Sequence, residues 1–111
     1  MDEKIIDLMV KTWHTYDPHA TYFMPTAKLD NFIDDLMKLE QSAEMFVIRD
    51  ASMINETYRQ RLISSLEIPT FDRGSKVMFY DVLQKLVLRA FKIQHNKKKV
   101  RYNLLMLKVI N

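Results

Sequence analysis

The sequence predicts an all-α protein with four amphipathic helices, arranged as two helix–loop–helix units and followed by a basic C-terminal helix. Apolar residues recur at the i, i+3, i+4, i+7 spacing of one helix face in four stretches, and prolines follow the first and the third of them, at Pro18 and Pro69. The composition, 48% apolar and 28% charged over 111 residues, is typical of one globular domain. We expect a paired helix–loop–helix domain over residues 1–95. A basic amphipathic helix is expected over 96–111, docked on the domain or on a partner.

The first helix–loop–helix unit has the outline of an EF-hand. Its helices are predicted over Glu3–Tyr16 and Thr26–Leu39, with Thr26 as the N-cap of the second. The loop between them has about a dozen residues, begins with Asp17 and holds an apolar pair near its eighth position. Trp13 lies on the apolar face of the first helix, and we interpret it as a core anchor.

The first loop lacks the calcium ligands of an EF-hand. With Asp17 as position one, Tyr22 stands where the sharp turn needs glycine, and Lys28 stands where a bidentate Glu should close the loop. One carboxylate and one ammonium do not make the oxygen cage that a Ca²⁺ ion requires, so we expect no metal site here. Three acids share a face of the second helix, and we interpret them as an ordinary solvated charge row: Asp30, Asp34 and Asp35.

The second unit repeats the outline with equally poor ligands. Asn55 is the predicted N-cap of a third helix over Glu56–Leu66. The loop that follows, Thr70–Lys76, holds only Asp72 as an acid, with Asp81 near the closing position. This loop is also not expected to bind calcium.

The fourth helix shows the widest apolar stripe, and it is predicted to extend to about Ile93. The residues of the stripe are Phe79, Val82, Leu83, Leu86, Val87, Ala90 and Phe91. If the two loops meet as they do in paired EF-hands, Phe23-Met24 and Val77-Met78 should form a short two-stranded antiparallel bridge.

The two units together resemble a known family. The first unit carries a W-x-x-Y-D-P-x-A-T motif, an apolar pair and K-L-x-x-F, and the second carries I-P, a glycine-containing loop, V-M-F and a helix ending near K-I. This order is similar to the C-terminal EF-hand-like cytoplasmic domain of voltage-gated calcium channels and, less closely, of sodium channels. The matching residues are Trp13, Tyr16, Asp17, Pro18, Ala20, Thr21, Phe23, Met24, Lys28, Leu29, Phe32, Ile68, Pro69, Gly74, Val77, Met78, Phe79, Leu83, Leu86, Ala90, Phe91, Lys92 and Ile93. The second loop is one residue longer than the family pattern, and Leu39–Ser52 lacks its Pro-Pro-Leu.

The resemblance implies a position on the cytoplasmic face of a membrane, as part of a larger channel. It also implies a regulatory function: a docking platform that modulates gating through calmodulin or another EF-hand protein, auxiliary channel proteins or other intracellular channel segments. A free-standing EF-hand calcium sensor or adaptor protein is the alternative, and a calcium titration would distinguish the two.

Charge is divided unevenly along the chain. Residues 1–81 contain all 14 Asp and Glu and nine Lys and Arg, a net charge of −5, whereas the residues from Val82 onward contain eight Lys and Arg and no acid. The C-terminal segment offers three interpretations: docking on the acidic domain, which we favour, binding to calmodulin or a similar helix-binding partner, or contact with an anionic membrane surface. Its candidate partner-binding residues are Lys97, Lys98, Lys99, Arg101, Leu104 and Leu107.

Several classes of function are not expected. The sequence contains no G-x-S-x-G or H-E-x-x-H motif, no cysteine, and a single glycine, which excludes a glycine-rich phosphate loop. We therefore expect no catalytic residue, no enzyme activity and no cofactor. Nucleic-acid binding is not expected either, because the net acidic residues 1–81 would repel phosphate.

Overall fold

The computed structural model describes residues 3–42, Phe46 and residues 51–92, which are mostly helical with a small antiparallel sheet. The main helices are α1 (Glu3–Tyr16), α2 (Leu29–Met37), α3 (Glu56–Leu66) and α4, which covers residues 79–92. The strands are β1 (Phe23–Pro25), β2 (Thr70–Phe71) and β3 (Lys76–Met78). Short 3-10 turns lie at Thr26–Lys28, Glu40–Ser42 and Ala51–Met53. None of the described helices is long and apolar enough to cross a bilayer.

The sheet joins the two helix–loop–helix units. β1 pairs with β3 in antiparallel register, with Phe23 opposite Met78 and Met24 opposite Val77, which confirms the predicted pairing. The sheet has a third strand that was not predicted, because β2 also pairs with β3 and the strand order is β1-β3-β2.

The second loop is therefore a β-hairpin and not a calcium-type loop. Its turn has three consecutive residues in the left-handed region, Asp72, Arg73 and Gly74, with φ values of 51°, 59° and 86°. Glycine adopts this conformation without steric cost and Asp tolerates it, so the turn reverses the chain within a few residues. That tight reversal brings Thr70 opposite Val77.

The core is formed by the apolar faces of the helices and by the central residues of β1 and β3. Its buried members include Met9, Trp13, Met24, Leu29, Phe32, Ile33, Leu36, Met37, Phe46, Leu62, Leu66, Val77, Val82, Leu86 and Ala90. The Trp13 ring meets the Phe32 ring edge-on at 5.3 Å between centroids and the Phe79 ring at 5.1 Å. Trp13 thus joins α1, α2 and α4, which confirms the predicted core anchor.

The bounds of α1 and α3 follow their local sequence signals, whereas α2 (Leu29–Met37) is shorter at both ends than the predicted Thr26–Leu39. α1 and α3 have the predicted bounds, and the Asn55 side chain accepts a hydrogen bond from the Tyr58 N–H at 2.9 Å, as an N-cap does. The prediction of Thr26 as an N-cap is wrong: Thr26 starts a 3-10 turn, and its hydroxyl donates to the Gly74 carbonyl at 2.7 Å. That bond ties the two loops together, so tertiary contact has replaced the local cap.

The acidic face of α2 is not a solvated charge row, and that interpretation was wrong. Arg59 of α3, with only 14% of its side chain exposed, forms ion pairs with Asp30 at 2.9 Å and with Asp34 at 3.1 Å. The Tyr16 hydroxyl donates to the third acid, Asp35. These acids hold α1, α2 and α3 together, because each carboxylate accepts from a neighbouring helix.

The apolar stripe of α4 is confirmed for Val82, Leu86 and Ala90, which are buried. Phe91 does not belong to the buried face: 65% of it is exposed. The C-terminal end predicted for this helix and the basic segment, including Lys97–Lys99, lie outside the described residues.

Candidate docking site at the first loop

The first loop is organised around the carboxylate of Asp17, which is 6% exposed. Its Oδ1 accepts from the Thr21 N–H at 2.9 Å and from the Thr21 hydroxyl at 2.8 Å. Its Oδ2 accepts from the Tyr22 N–H at 2.9 Å and from the Trp13 indole N–H at 3.2 Å. Both oxygens are therefore occupied by donors from the chain itself, and the loop is closed on its first residue.

The electrostatics of Asp17 follow from these bonds. Burial alone would raise the pKa of the carboxyl, but the hydrogen bonds from Thr21, Trp13 and Tyr22 outweigh it and lower the pKa below its ordinary value. The group is an ionised carboxylate at neutral pH, and it already has four donors. A cation would have to displace these donors to reach it.

The other residues singled out as degenerate ligands lie apart from this carboxylate. Lys28 ends the 3-10 turn before α2 and is exposed, Asp72 lies in the turn of the hairpin, and Asp81 lies in α4. In residues 3–42, Phe46 and 51–92, no three His, Asp or Glu side chains form a group that could hold a metal ion.

Tyr22 adopts the turn conformation that the EF-hand pattern reserves for glycine. Its φ is 69°, in the left-handed region, where a bulky side chain is a steric outlier that costs about 1–2 kcal/mol. Three contacts hold it there: the Tyr22 N–H bond to Asp17, the bond that the Tyr22 carbonyl accepts from the Phe79 N–H at 2.8 Å, and stacking of the Tyr22 ring on Tyr80, with 5.8 Å between centroids and 20° between planes. The strained backbone presents a ring that is 52% exposed.

An apolar pocket of about 110 Å³ opens beside this ring. Its walls are formed mainly by Val10, Trp13, Tyr22 and Phe79, and we call it the aromatic pocket. Val10 is 48% exposed, so the pocket is open to solvent along α1. It is suited to one aliphatic side chain of a partner, because its walls are apolar and its volume is small.

Sequence analysis did not identify the aromatic pocket. Val10 lies one turn before Trp13 at the i, i+3 spacing that predicts a core position, yet it is exposed. One sequence feature could have indicated the pocket: Tyr22 stands at the loop position that normally holds glycine. Its ring lies on the outside of the turn, where it is half exposed. The partner-binding residues predicted in the basic segment, such as Lys97 and Leu104, lie outside the described residues.

In the comparisons with known proteins, no family model and no curated protein matches the chain.

Proposed function

We propose that this chain is an EF-hand-like regulatory and protein-interaction domain of a voltage-gated cation channel, with a calcium channel preferred to a sodium channel. The observation that carries the proposal is the closed first loop: both oxygens of Asp17 accept hydrogen bonds from the chain, and an open apolar pocket lies beside them. Such a unit offers a binding surface for another protein where an EF-hand sensor would offer a calcium cage.

The arrangement of the two units supports the EF-hand-like part of the proposal. Each unit is a helix, a loop and a helix, and the loops meet through β1 and β3. Met24 and Val77, the apolar residues near position eight of their loops, are opposite each other in the sheet and are buried. The sequence resemblance to the channel domains supports the cytoplasmic position and the regulatory role.

The domain would act by receiving a helix of a partner. One apolar side chain of that helix enters the aromatic pocket, and Tyr22 and Tyr80 give it an exposed aromatic rim. The proposed partners are calmodulin or another EF-hand protein, auxiliary channel proteins and other channel segments. The basic residues of the C-terminal segment, among them Lys97 and Arg101, supply a second contact to an acidic partner.

Isothermal titration of the 111-residue chain tests the proposal. We expect no heat from Ca²⁺ at low salt, and heat from Ca²⁺-loaded calmodulin added to the same cell. Calcium binding at micromolar concentration would contradict the closed-loop interpretation and make the chain a calcium sensor. A variant with Gln at Lys97, Lys98, Lys99 and Arg101 measures how much of calmodulin binding depends on the C-terminal segment.

Variants of the aromatic pocket locate the contact. Tyr22→Gly removes the ring and also relieves the left-handed strain, so its stability should stay near that of the wild type while its affinity for calmodulin falls. Val10→Asn should weaken binding by about fivefold, the equivalent of 1 kcal/mol lost at an anchor. Thr15→Asn, on an exposed position of the same helix, is the matched control and should bind as the wild type does. Equal affinities for all three variants would remove the pocket from the binding site.

A further inference from the structure

A second surface lies between the C-terminal end of α3 and α4, where a groove has a volume of about 410 Å³. One face of α4 supplies its cations, Lys85, Arg89 and Lys92, at i, i+4, i+7 spacing. Leu66 and Leu88 add apolar surface to the lining, and Leu88 is 46% exposed. We call this surface the basic groove. Cations together with aliphatic side chains form an amphipathic binding surface.

The three cations of the basic groove outnumber the one acid in its lining, Glu67. The salt bridges found within residues 3–42, Phe46 and 51–92 involve Lys38 and Arg59 and none of the groove cations. From Val82 to Lys92 the chain contains three basic residues and no acid. Three cations against one carboxylate leave the lining of the groove with a net positive charge, which is available to an anionic ligand.

Arg89 lies partly buried in the wall of the basic groove. Its Nε is buried and has no hydrogen-bond partner in the described part of the chain. Buried donors are almost always paired, because burial without a partner costs the full desolvation of the group. Because Nε is inaccessible, an acceptor in the groove would bond the terminal N–H groups of the Arg89 guanidinium.

We propose that the basic groove binds an acidic amphipathic peptide segment of a partner protein. A carboxylate of that segment accepts from the Arg89 guanidinium, and Lys85 and Lys92 flank it. An apolar side chain of the same segment packs beside Leu66 and Leu88. The inference rests on the proposed docking function, and it names the chemistry of one partner at a surface separate from the aromatic pocket.

The shape of the groove favours a peptide over an anionic membrane. A groove of about 410 Å³ admits individual side chains of a peptide, whereas the headgroups of a bilayer form a broad surface. Glu67 also lines the groove, and its carboxylate would repel a densely anionic surface. A peptide can avoid that repulsion by placing a neutral or basic residue next to Glu67.

Fluorescence anisotropy with a matched pair of peptides tests the inference on the 111-residue chain. The first fluorescein-labelled peptide is an amphipathic helix with Glu at i and i+4 and Leu at i+3, and the second carries Gln in place of each Glu. We expect the Glu peptide to bind at low salt and the Gln peptide to bind about tenfold more weakly. Arg89→Gln should raise the Kd of the Glu peptide by about tenfold, the loss of one charge-assisted hydrogen bond. Lys11→Gln, the same loss of charge at an exposed position of α1, should leave the Kd unchanged.

Several outcomes would overturn the inference. Equal affinities for the two peptides, or equal effects of Arg89→Gln and Lys11→Gln, would show that the groove does not recognise carboxylates. Binding to phosphatidylserine vesicles that is lost in Arg89→Gln, without binding of the Glu peptide, would assign the groove to a membrane. If Arg89→Gln fails to fold, Lys85→Gln with Lys92→Gln takes its place, since neither side chain is fully buried. Failure here would leave the calmodulin result and the Tyr22→Gly result unaffected, so the two proposals fail separately.

Discussion

Replacing Asp17 by Asn is the most direct test of how the first loop is built. The substitution keeps the size of the side chain and one carbonyl oxygen, but it places an amide NH₂ where one carboxylate oxygen stood. If the remaining oxygen serves Thr21, the NH₂ faces the two donors that now bond Oδ2, the Tyr22 N–H and the Trp13 indole N–H. Flipping the amide transfers the conflict to the Thr21 N–H, although the Thr21 hydroxyl can then accept from the NH₂.

The size of the effect follows from the two bonds that are lost. A hydrogen bond to a charged acceptor contributes about 1.5–3 kcal/mol, and its loss is smaller where the donor can turn to water. The Tyr22 N–H belongs to an exposed residue, whereas Trp13 is 5% exposed and its indole would lose its partner inside the core. We therefore expect Asp17→Asn to lower the free energy of unfolding by about 2–3 kcal/mol, out of a total of roughly 5–15 kcal/mol for a domain of this size.

Urea denaturation followed by Trp13 fluorescence measures this loss, and Asp72→Asn is the matched control. Asp72 lies in the exposed turn of the hairpin, in a left-handed conformation that Asn also tolerates, so its substitution should change the stability by less than about 0.5 kcal/mol. Equal effects of the two substitutions would refute the closed-loop interpretation.

The pH dependence of Asp17→Asn provides a second check. The folded protein holds the pKa of Asp17 below the ordinary 3.8, so the carboxylate stabilises the fold above that pH and loses its contribution as the pH falls through the folded pKa. The stability difference between wild type and Asp17→Asn should therefore shrink in acid below about pH 4. A difference that stays constant down to pH 2 would contradict this origin.

Three further predictions concern the contacts around the loops. Arg59→Gln should lower the free energy of unfolding in urea by about 2–3 kcal/mol, because it leaves two carboxylates of α2 without their shared cation. The control, Arg61→Gln at an exposed position of the same helix, should lower it by less than about 0.5 kcal/mol. Similar losses for the two variants would show that the ion pairs contribute nothing. Burial and the hydrogen bond to Asp35 raise the pKa of Tyr16 to about 12. The protonated Tyr16 hydroxyl therefore contributes its full stabilisation below pH 10, and this stabilisation is lost as the pH rises from 10 to 12. The difference in absorbance at 295 nm between wild type and Tyr16→Phe should titrate near pH 12; a titration near pH 10 would contradict this. Gly74→Ala should lower the thermal midpoint by several degrees, because Ala is strained at the Gly74 φ of 86°. An added Cβ would not clash, since the nearest atom is 4.0 Å away, so the backbone conformation is the only cause expected. An unchanged midpoint would mean that the turn adapts.

The parts of the fold that the sequence predicted correctly depend on local signals. α1 has regular apolar spacing and a proline shortly after its end, and α3 has Asn55 as its cap, so both helices have the predicted bounds. The register of β1 with β3 was predicted because each loop holds its apolar pair at the same position, which aligns Met24 with Val77. The helix signals lie within a few residues of the ends that they specify, whereas Met24 and Val77 are 53 positions apart and their pairing was predicted from the equivalent place of the apolar pair in each loop.

The parts that were missed depend on contacts between distant residues. Asp30 and Arg59 are 29 positions apart in the sequence, and nothing in the spacing of α2 distinguishes an acid paired across helices from one in water. The Thr26 hydroxyl reaches Gly74 across 48 positions, which turned a predicted N-cap into a link between the loops. The aromatic pocket combines α1, the first loop and the start of α4, so it exists only after the units have paired.

The closed first loop limits how this domain can change state. In calcium sensors, an EF-hand gains its ligand ion and its helices rearrange, so the loop itself is the switch. Here the bonds that organise the loop come from Thr21, Tyr22 and Trp13 and are already formed, and the indole connects them directly to the core contacts with Phe32 and Phe79. A ligand shifts a conformational equilibrium only if its affinity differs between the two conformations. The Asp17 carboxylate already accepts four hydrogen bonds, so we expect a cation to have little affinity for either conformation of the loop. Regulation through this loop would therefore come from a partner that binds beside it at the aromatic pocket, and not from a cation.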